Sequence, residues 1–166
     1  MCRLEINIII RGHHKAPASE ISLEPLVLTQ DLVKVYMQGG EPFTALNKIN
    51  LSVEKGEMLT IMGPSGSGKS TLLNMLGALD KPTSGKIFID GTDISTLSDN
   101  ELAGLRSREI GFIFQQFNLI HRMSALGNVE LPLAISGAPR SERGRRAKQL
   151  LDSVGLGIGS IISLTR

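Results

Sequence analysis

Met58-Leu59-Thr60-Ile61-Met62-Gly63-Pro64-Ser65-Gly66-Ser67-Gly68-Lys69-Ser70-Thr71-Leu72-Leu73-Asn74-Met75-Leu76 decides the reading of this chain. Its centre, Gly63 to Ser70, fits G-x-x-x-x-G-K-[ST]. Apolar residues at 58, 59, 61 and 62 predict a strand before the loop, and those at 72, 73, 75 and 76 predict a helix after it. A Gly/Ser-rich linker that happened to hold a lysine would lack these apolar flanks. Glycines at 63, 66 and 68 let the backbone fold back without Cβ clashes, so that successive N–H groups turn inward as an anion nest. A helix starting near Ser70 adds unpaired amides and the positive end of its dipole. On this pattern Lys69 reaches the β- and γ-phosphates, the Ser70 hydroxyl ligates Mg²⁺ and Thr71 donates to the α-phosphate. The expectation is a bound nucleotide, with Gly63, Pro64, Ser65, Gly66, Ser67, Gly68, Lys69, Ser70 and Thr71 as its phosphate site.

The rest of the composition is that of a globular domain: 166 residues, 41% hydrophobic, 20% charged, net charge +2. So small a charge gives no argument for a nucleic-acid partner, and the basic group Arg140, Arg143, Arg145, Arg146 and Lys148 reads as a solvated helix face without aromatic platforms. The single cysteine, Cys2, cannot close an internal disulfide and points to a reducing compartment. No apolar run approaches the ~18–20 residues of a membrane helix. Ile6 and Ile8 to Ile10 sit beside Asn7 and are followed by Arg11, His13, His14 and Lys15, too short and charged for a signal peptide. Residues 1–25 therefore read as a disordered or mis-started extension, and the adjacent histidines carry no metal argument.

Several elements can be placed. Leu26 to Tyr36 predicts a strand, Gly39-Gly40-Glu41-Pro42 a loop, and the alternation of Ile49, Leu51 and Val53 a half-buried strand that Lys55-Gly56 turns into the strand Met58–Met62. Asp80 to Gly85 is a turn cluster, Lys86 to Gly91 a strand ending in a hairpin signal, and Ser98 with Glu101 a capping box for a helix to about Arg106. Ile110 to Phe114 reads as a buried strand. Ser124 should cap a helix that Pro132 kinks or ends. Ala147, Leu150, Leu151 and Val154 mark a last amphipathic helix, capped by Ser141 and stopped by Gly155.

Three segments in this order, MGPSGSGKSTLLNMLGALDKPTSGKIFIDG, LSDNELAGLRSREIGFIFQQFNLI and NVELPL, resemble the nucleotide-binding domain of ABC transporters, most closely the macrolide-exporter and lipoprotein-release group. The resemblance spans about Leu26 to Gly157. It implies an α/β fold of the P-loop NTPase type, with an N-terminal antiparallel β portion, an incomplete central sheet and the start of a helical subdomain over Phe117 to Leu131. It implies ATP and Mg²⁺ as ligands. Tyr36 falls where an aromatic stacks on adenine, and Gln115 on the Q-loop glutamine that contacts Mg²⁺ or the attacking water. Lys69 and Gln115 are thus the catalytic candidates, and Ser70 and Gln115 the metal candidates. The implied partners are a membrane-spanning transporter subunit and a second copy in a homodimer, at the inner face of the plasma membrane.

The same resemblance exposes gaps. The sequence contains no LSGGQ signature, no apolar strand ending in Asp-Glu downstream and no switch histidine. Ile87-Phe88-Ile89-Asp90 and Leu150-Leu151-Asp152 lack the strand context of a metal carboxylate. Residues 158–166 depart from the family pattern, which suggests a truncated domain, exposed apolar surface, marginal stability and no ATPase activity by the chain alone. A P-loop nucleotide or metabolite kinase is the alternative enzyme, but there the loop usually follows the first strand, whereas residues 1–62 precede Gly63 here. A GTPase is weaker still, because Asn47-Lys48-Ile49-Asn50 lies before the loop and lacks the aspartate. An inert or decoy fragment is the third possibility.

Overall fold

The computed structural model describes residues 7–10, 24–114 and 117–157, with only the backbone of 7–10. Gln115, the pair His13-His14, the tail 158–166 and most of the 1–25 extension lie outside the described residues. The chain divides into two compact units, Met1–Gln115 and Gln116–Arg166.

In the first unit, β2 (Val27–Gln38) and β3 (Glu41–Val53) form a long antiparallel hairpin. Its turn is Gly39-Gly40, both at positive φ, the geometry that matches strand twist. Glu41 and Pro42, expected in the loop, belong to β3 and pair with Gln38 and Met37. β4 (Ser84–Ile89) pairs with the other edge of β2, and β5 (Thr92–Asp93) with β4 through the Asp90-Gly91 turn, giving the order β3-β2-β4-β5. All these pairings are antiparallel. The ladder shifts register beyond Thr29, where Asp31 takes φ +45° and Asn50 fastens it by bonding both its amide (2.8 Å) and its carboxylate (3.2 Å).

α1 (Lys69–Leu76) and α2 (Asp99–Glu109) supply the apolar groups that meet this sheet. Leu32, Leu46, Met75, Ala78, Ile87, Ile89, Leu102 and Leu105 form the main core. Leu32 and Ile87 are fully buried. α2 carries the expected capping box: Glu101 donates its amide to Ser98 Oγ, and its carboxylate accepts the Ser98 amide at 2.8 Å. Arg106 then donates to the Ala78 carbonyl at 2.7 Å, satisfying a group at the exit of α1.

Further expectations fail in this unit. Met58–Met62 is not a strand: no described strand pairs with 57–64, and Met58 and Met62 are 92% and 75% exposed. A lone apolar run has no ladder to satisfy its backbone, so periodicity alone does not make a strand. The strand at Ile110 is shorter than expected, β6 (Ile110–Ile113), and only Ile110 is buried; Ile113 and Phe114 are exposed. β6 pairs antiparallel with β1 (Asn7–Ile10), Ile10 opposite Ile110. Part of the segment expected as an extension is therefore a strand, in keeping with its β-branched run.

In the second unit, α3 (Ala125–Ile135) packs on α4 (Arg140–Ser153). Ser124 caps α3 as expected, accepting from Gly127 N. Pro132 does not end the helix: it deletes one N–H, and its carbonyl still accepts from Ser136 at 3.0 Å. α4 is capped by Pro139 rather than Ser141, because the amides of Glu142 and Arg143 both reach the Pro139 carbonyl. Ala147 and Leu151 are buried, whereas Leu150 and Val154 are exposed, so half of the expected apolar stripe packs. Gly155, at φ +77°, ends the helix as expected.

Candidate phosphate-binding site

The loop between Gly63 and Gly68 ends in a close backbone approach at Gly68 that only glycine permits, while Gly63 is crowded by a side chain that can turn away. A Cβ on Gly68 would lie 2.6 Å from the Ala45 carbonyl oxygen, and its φ is +85°. A Cβ on Gly63 would lie 2.6 Å from Ser67 Oγ. Within the loop the Ser67 amide donates to the Pro64 carbonyl at 3.3 Å.

α1 begins at Lys69 with no side-chain cap and no acidic residue in its first turn. α2 and α3 are each capped by a serine. The first intrahelical bond at this end runs from Leu72 N to Gly68 O, so the amides of Lys69, Ser70 and Thr71 precede the hydrogen-bond ladder. Lys69 adds a charge: its ammonium donates to Gly63 O at 2.7 Å, Pro64 O at 2.6 Å and Ser67 Oγ at 3.2 Å. Backbone donors, a helix dipole and a fixed cation thus converge on one small loop, a donor set that suits phosphate oxygens.

Mg²⁺ fits this site only together with phosphate. Ser70 contributes a single hydroxyl in the first helical turn. Among the described residues no group of three or more His, Cys, Asp or Glu could hold a metal ion. Mg²⁺ commonly takes few protein ligands plus substrate phosphates, which matches such a sparse set. Asp90 is confirmed as a turn residue: it sits at φ +45° and pairs with Lys55 at 2.9 Å.

Tyr36, half-buried near the end of β2, sits among partners that sequence reasoning missed. Its hydroxyl donates to Asp80 Oδ2 at 2.9 Å. Lys34 donates to Asp80 Oδ1 at 2.8 Å and to the Lys81 carbonyl at 2.7 Å, and its Nζ lies 4.9 Å from the Tyr36 ring centroid. Thr83 Oγ1 accepts the Val35 amide at 2.9 Å, so the turn after α1 is stitched to β2 at the same level. Burial, then the hydrogen bond and negative charge of Asp80, push the Tyr36 phenol above its ordinary pKa, while a hydrogen bond with Thr71 opposes this. Burial also pushes the Asp80 carboxyl up, but bonds from Lys34, Tyr36 and the Lys81 amide outweigh it and hold the pKa below the usual aspartate value. The available signal was the i, i+2 spacing of Lys34 and Tyr36, which puts both on one strand face.

A profile of the ABC transporter family matches residues 46–162. The chain is 52% identical over 127 residues to an uncharacterized ABC transporter ATP-binding protein of Thermotoga maritima, covering 76% of this chain and 54% of that one. It is 49% identical over 131 residues to the macrolide export ATP-binding/permease protein MacB of Vibrio parahaemolyticus, covering 79% of this chain and 20% of MacB. Among solved structures, the dimeric post-hydrolysis state of the ATP-binding cassette MJ0796 bound to ADP and Pi matches with a TM-score of 0.73 and 45% identity, over 81% of this chain and 60% of that one. The chain thus spans about half the length of the Thermotoga relative. The α/β cassette fold expected from the three motif segments is the fold these neighbours share, and nothing in the comparisons favours the kinase alternative. The chain belongs to the ABC transporter family.

Proposed function

We infer that this chain is the nucleotide-binding portion of an ABC transporter ATP-binding subunit, taking Mg-ATP on the Gly63–Thr71 loop. The observation that carries this is the uncapped start of α1 beside the Lys69 ammonium, held by three loop acceptors. The amides of residues 69–71 would meet phosphate oxygens, and Lys69 would exchange loop carbonyls for the β- and γ-phosphates. Ser70 would hold Mg²⁺ jointly with the nucleotide, the ion neutralising phosphate charge. Tyr36 would supply a ring face for adenine, and Gln115 would act on the metal or the water.

The intact assembly in this reading is a pair of such domains driving a membrane-spanning subunit from the cytoplasmic face. The printed MacB name, a fused ATP-binding/permease protein, and the dimeric MJ0796 cassette support those partners. Among the described residues no helix is long and apolar enough to cross a membrane. With neither an LSGGQ signature nor a Walker B carboxylate in its sequence, the chain alone binds nucleotide without turnover.

Equilibrium dialysis with labelled ATP and Mg²⁺, together with phosphate release on the same sample, tests this. Saturable binding displaced by tripolyphosphate, without release, is the expected result. Absence of displaceable binding would refute the loop as a nucleotide site.

A further inference from the structure

We propose that Asp80 and Lys34 are positioning residues for the Tyr36 ring, fixing its plane and leaving one face to receive the purine. This rests on the reading of Tyr36 as the base-stacking residue and names what makes it competent. A phenyl ring near the end of a strand can rotate about χ1 and χ2, and stacking needs its plane held. Here the hydroxyl is anchored on Asp80 Oδ2 at 2.9 Å. The Lys34 ammonium, 4.9 Å from the ring centroid, occupies one π face. It is kept there by Asp80 Oδ1 at 2.8 Å and the Lys81 carbonyl at 2.7 Å. A base can then approach from the opposite face only.

The anchor also ties the base subsite to the phosphate subsite. Asp80 follows α1, whose first residue is Lys69. Asp80 further accepts the Lys81 amide at 2.8 Å, which rigidifies the turn that carries it, and Thr83 pins that turn to Val35. The distance between ring and phosphate loop is thereby set by one short helix and one clipped turn. Charged groups meeting this cluster are Lys34, Asp80 and Lys81, the last pairing outward with Asp99 at 2.9 Å.

The chain offers its own probe. Tyr36 is its only tyrosine, and it has no tryptophan, so phenol absorbance and emission report this one ring. The test uses the full chain, four single variants, Asp80→Asn, Lys34→Met, Tyr36→Phe and Tyr36→Ala, and the Tyr36→Phe/Asp80→Asn double variant. Affinities for ATP and for inorganic tripolyphosphate are measured side by side, and the phenol is titrated by absorbance. Asp80→Asn is expected to lower the phenol titration midpoint and to weaken ATP by about five- to tenfold, roughly the worth of an aromatic contact, with tripolyphosphate unchanged. Tyr36→Phe keeps the ring and loses only the anchor, so it should weaken ATP similarly, and Asp80→Asn in that background should add nothing. If Asp80→Asn does not fold, the Tyr36→Phe and Lys34→Met arms decide alone. Loss of tripolyphosphate affinity in parallel with ATP would overturn the proposal, because Asp80 would then act on the phosphate loop or the fold. ATP weakened by Tyr36→Ala but not by Asp80→Asn, Lys34→Met or Tyr36→Phe would overturn the positioning role and leave the stacking role intact. ATP unaffected by Tyr36→Ala would remove the stacking role itself.

Discussion

Gly68 Cα faces the backbone carbonyl of Ala45 so closely that a Cβ there would come within 2.6 Å of its oxygen. Ala45 belongs to β3, and its neighbour Leu46 is part of the main core. The loop that gathers donors around Lys69 is thus seated directly on the antiparallel hairpin, and the sheet sets where α1 begins.

Gly68→Ala should therefore damage both fold and site. The positive φ of +85° alone costs about 1–2 kcal/mol for a residue with a Cβ, and the backbone contact adds to it. A thermal melt should fall by several degrees, and labelled ATP should bind more weakly. A variant with unchanged melting and binding would show that the loop relaxes freely away from Ala45.

Leu32→Ala tests the core. Leu32 is fully buried between sheet and helices, and removal of such a side chain costs about 2–5 kcal/mol. For a domain of ordinary marginal stability that is a large share. Urea unfolding with a midpoint close to the parent's would contradict the packing described.

The ion pair at Asp80 makes stability depend on acid. Its folded pKa is lowered, so its stabilisation is fully present above the unfolded aspartate value, about 3.9, and is lost as pH falls through the lower folded value. Tyr36 acts at the other end: its folded pKa is raised, so the folded state loses ground as pH climbs above the ordinary tyrosine value of about 10. Melting temperature against pH should fall at both extremes, and Asp80→Asn should flatten the acid limb. An identical acid limb in that variant would count against the pair.

Exposure of Met58 and Met62, 92% and 75%, predicts self-association. Met58→Lys should raise solubility in a light-scattering assay with little change in melting temperature. Equal scattering from both proteins would move the aggregation site elsewhere.

Much of this was legible in the sequence because it is local. The Ser98/Glu101 box, the Ser124 cap, the Gly155 stop and the Asp90-Gly91 turn are each written in a few adjacent residues. What misled was information that sits in neighbours. Met58–Met62 has a strand's composition, but strand formation needs a second strand, and none among the described residues lies beside it. The Lys34–Asp80–Tyr36 cluster spans more than forty positions of chain and depends on the way α1 returns its exit turn to β2. The phosphate-loop pattern is local, so its glycines and Lys69 stand out in sequence; the seat of Gly68 against Ala45, a contact between distant positions, does not.

The most direct test of the central claim is the affinity of the full chain and its Lys69→Ala variant for labelled ATP in the presence of Mg²⁺. Lys69 brings the loop's cation to within 2.7 Å of Gly63 O and 2.6 Å of Pro64 O. Its charge-assisted bonds are each worth about 1.5–3 kcal/mol, so the variant should lose about a hundredfold or more in affinity. Unchanged ATP binding by a folded Lys69→Ala chain would contradict the assignment of Gly63–Thr71 as the nucleotide site.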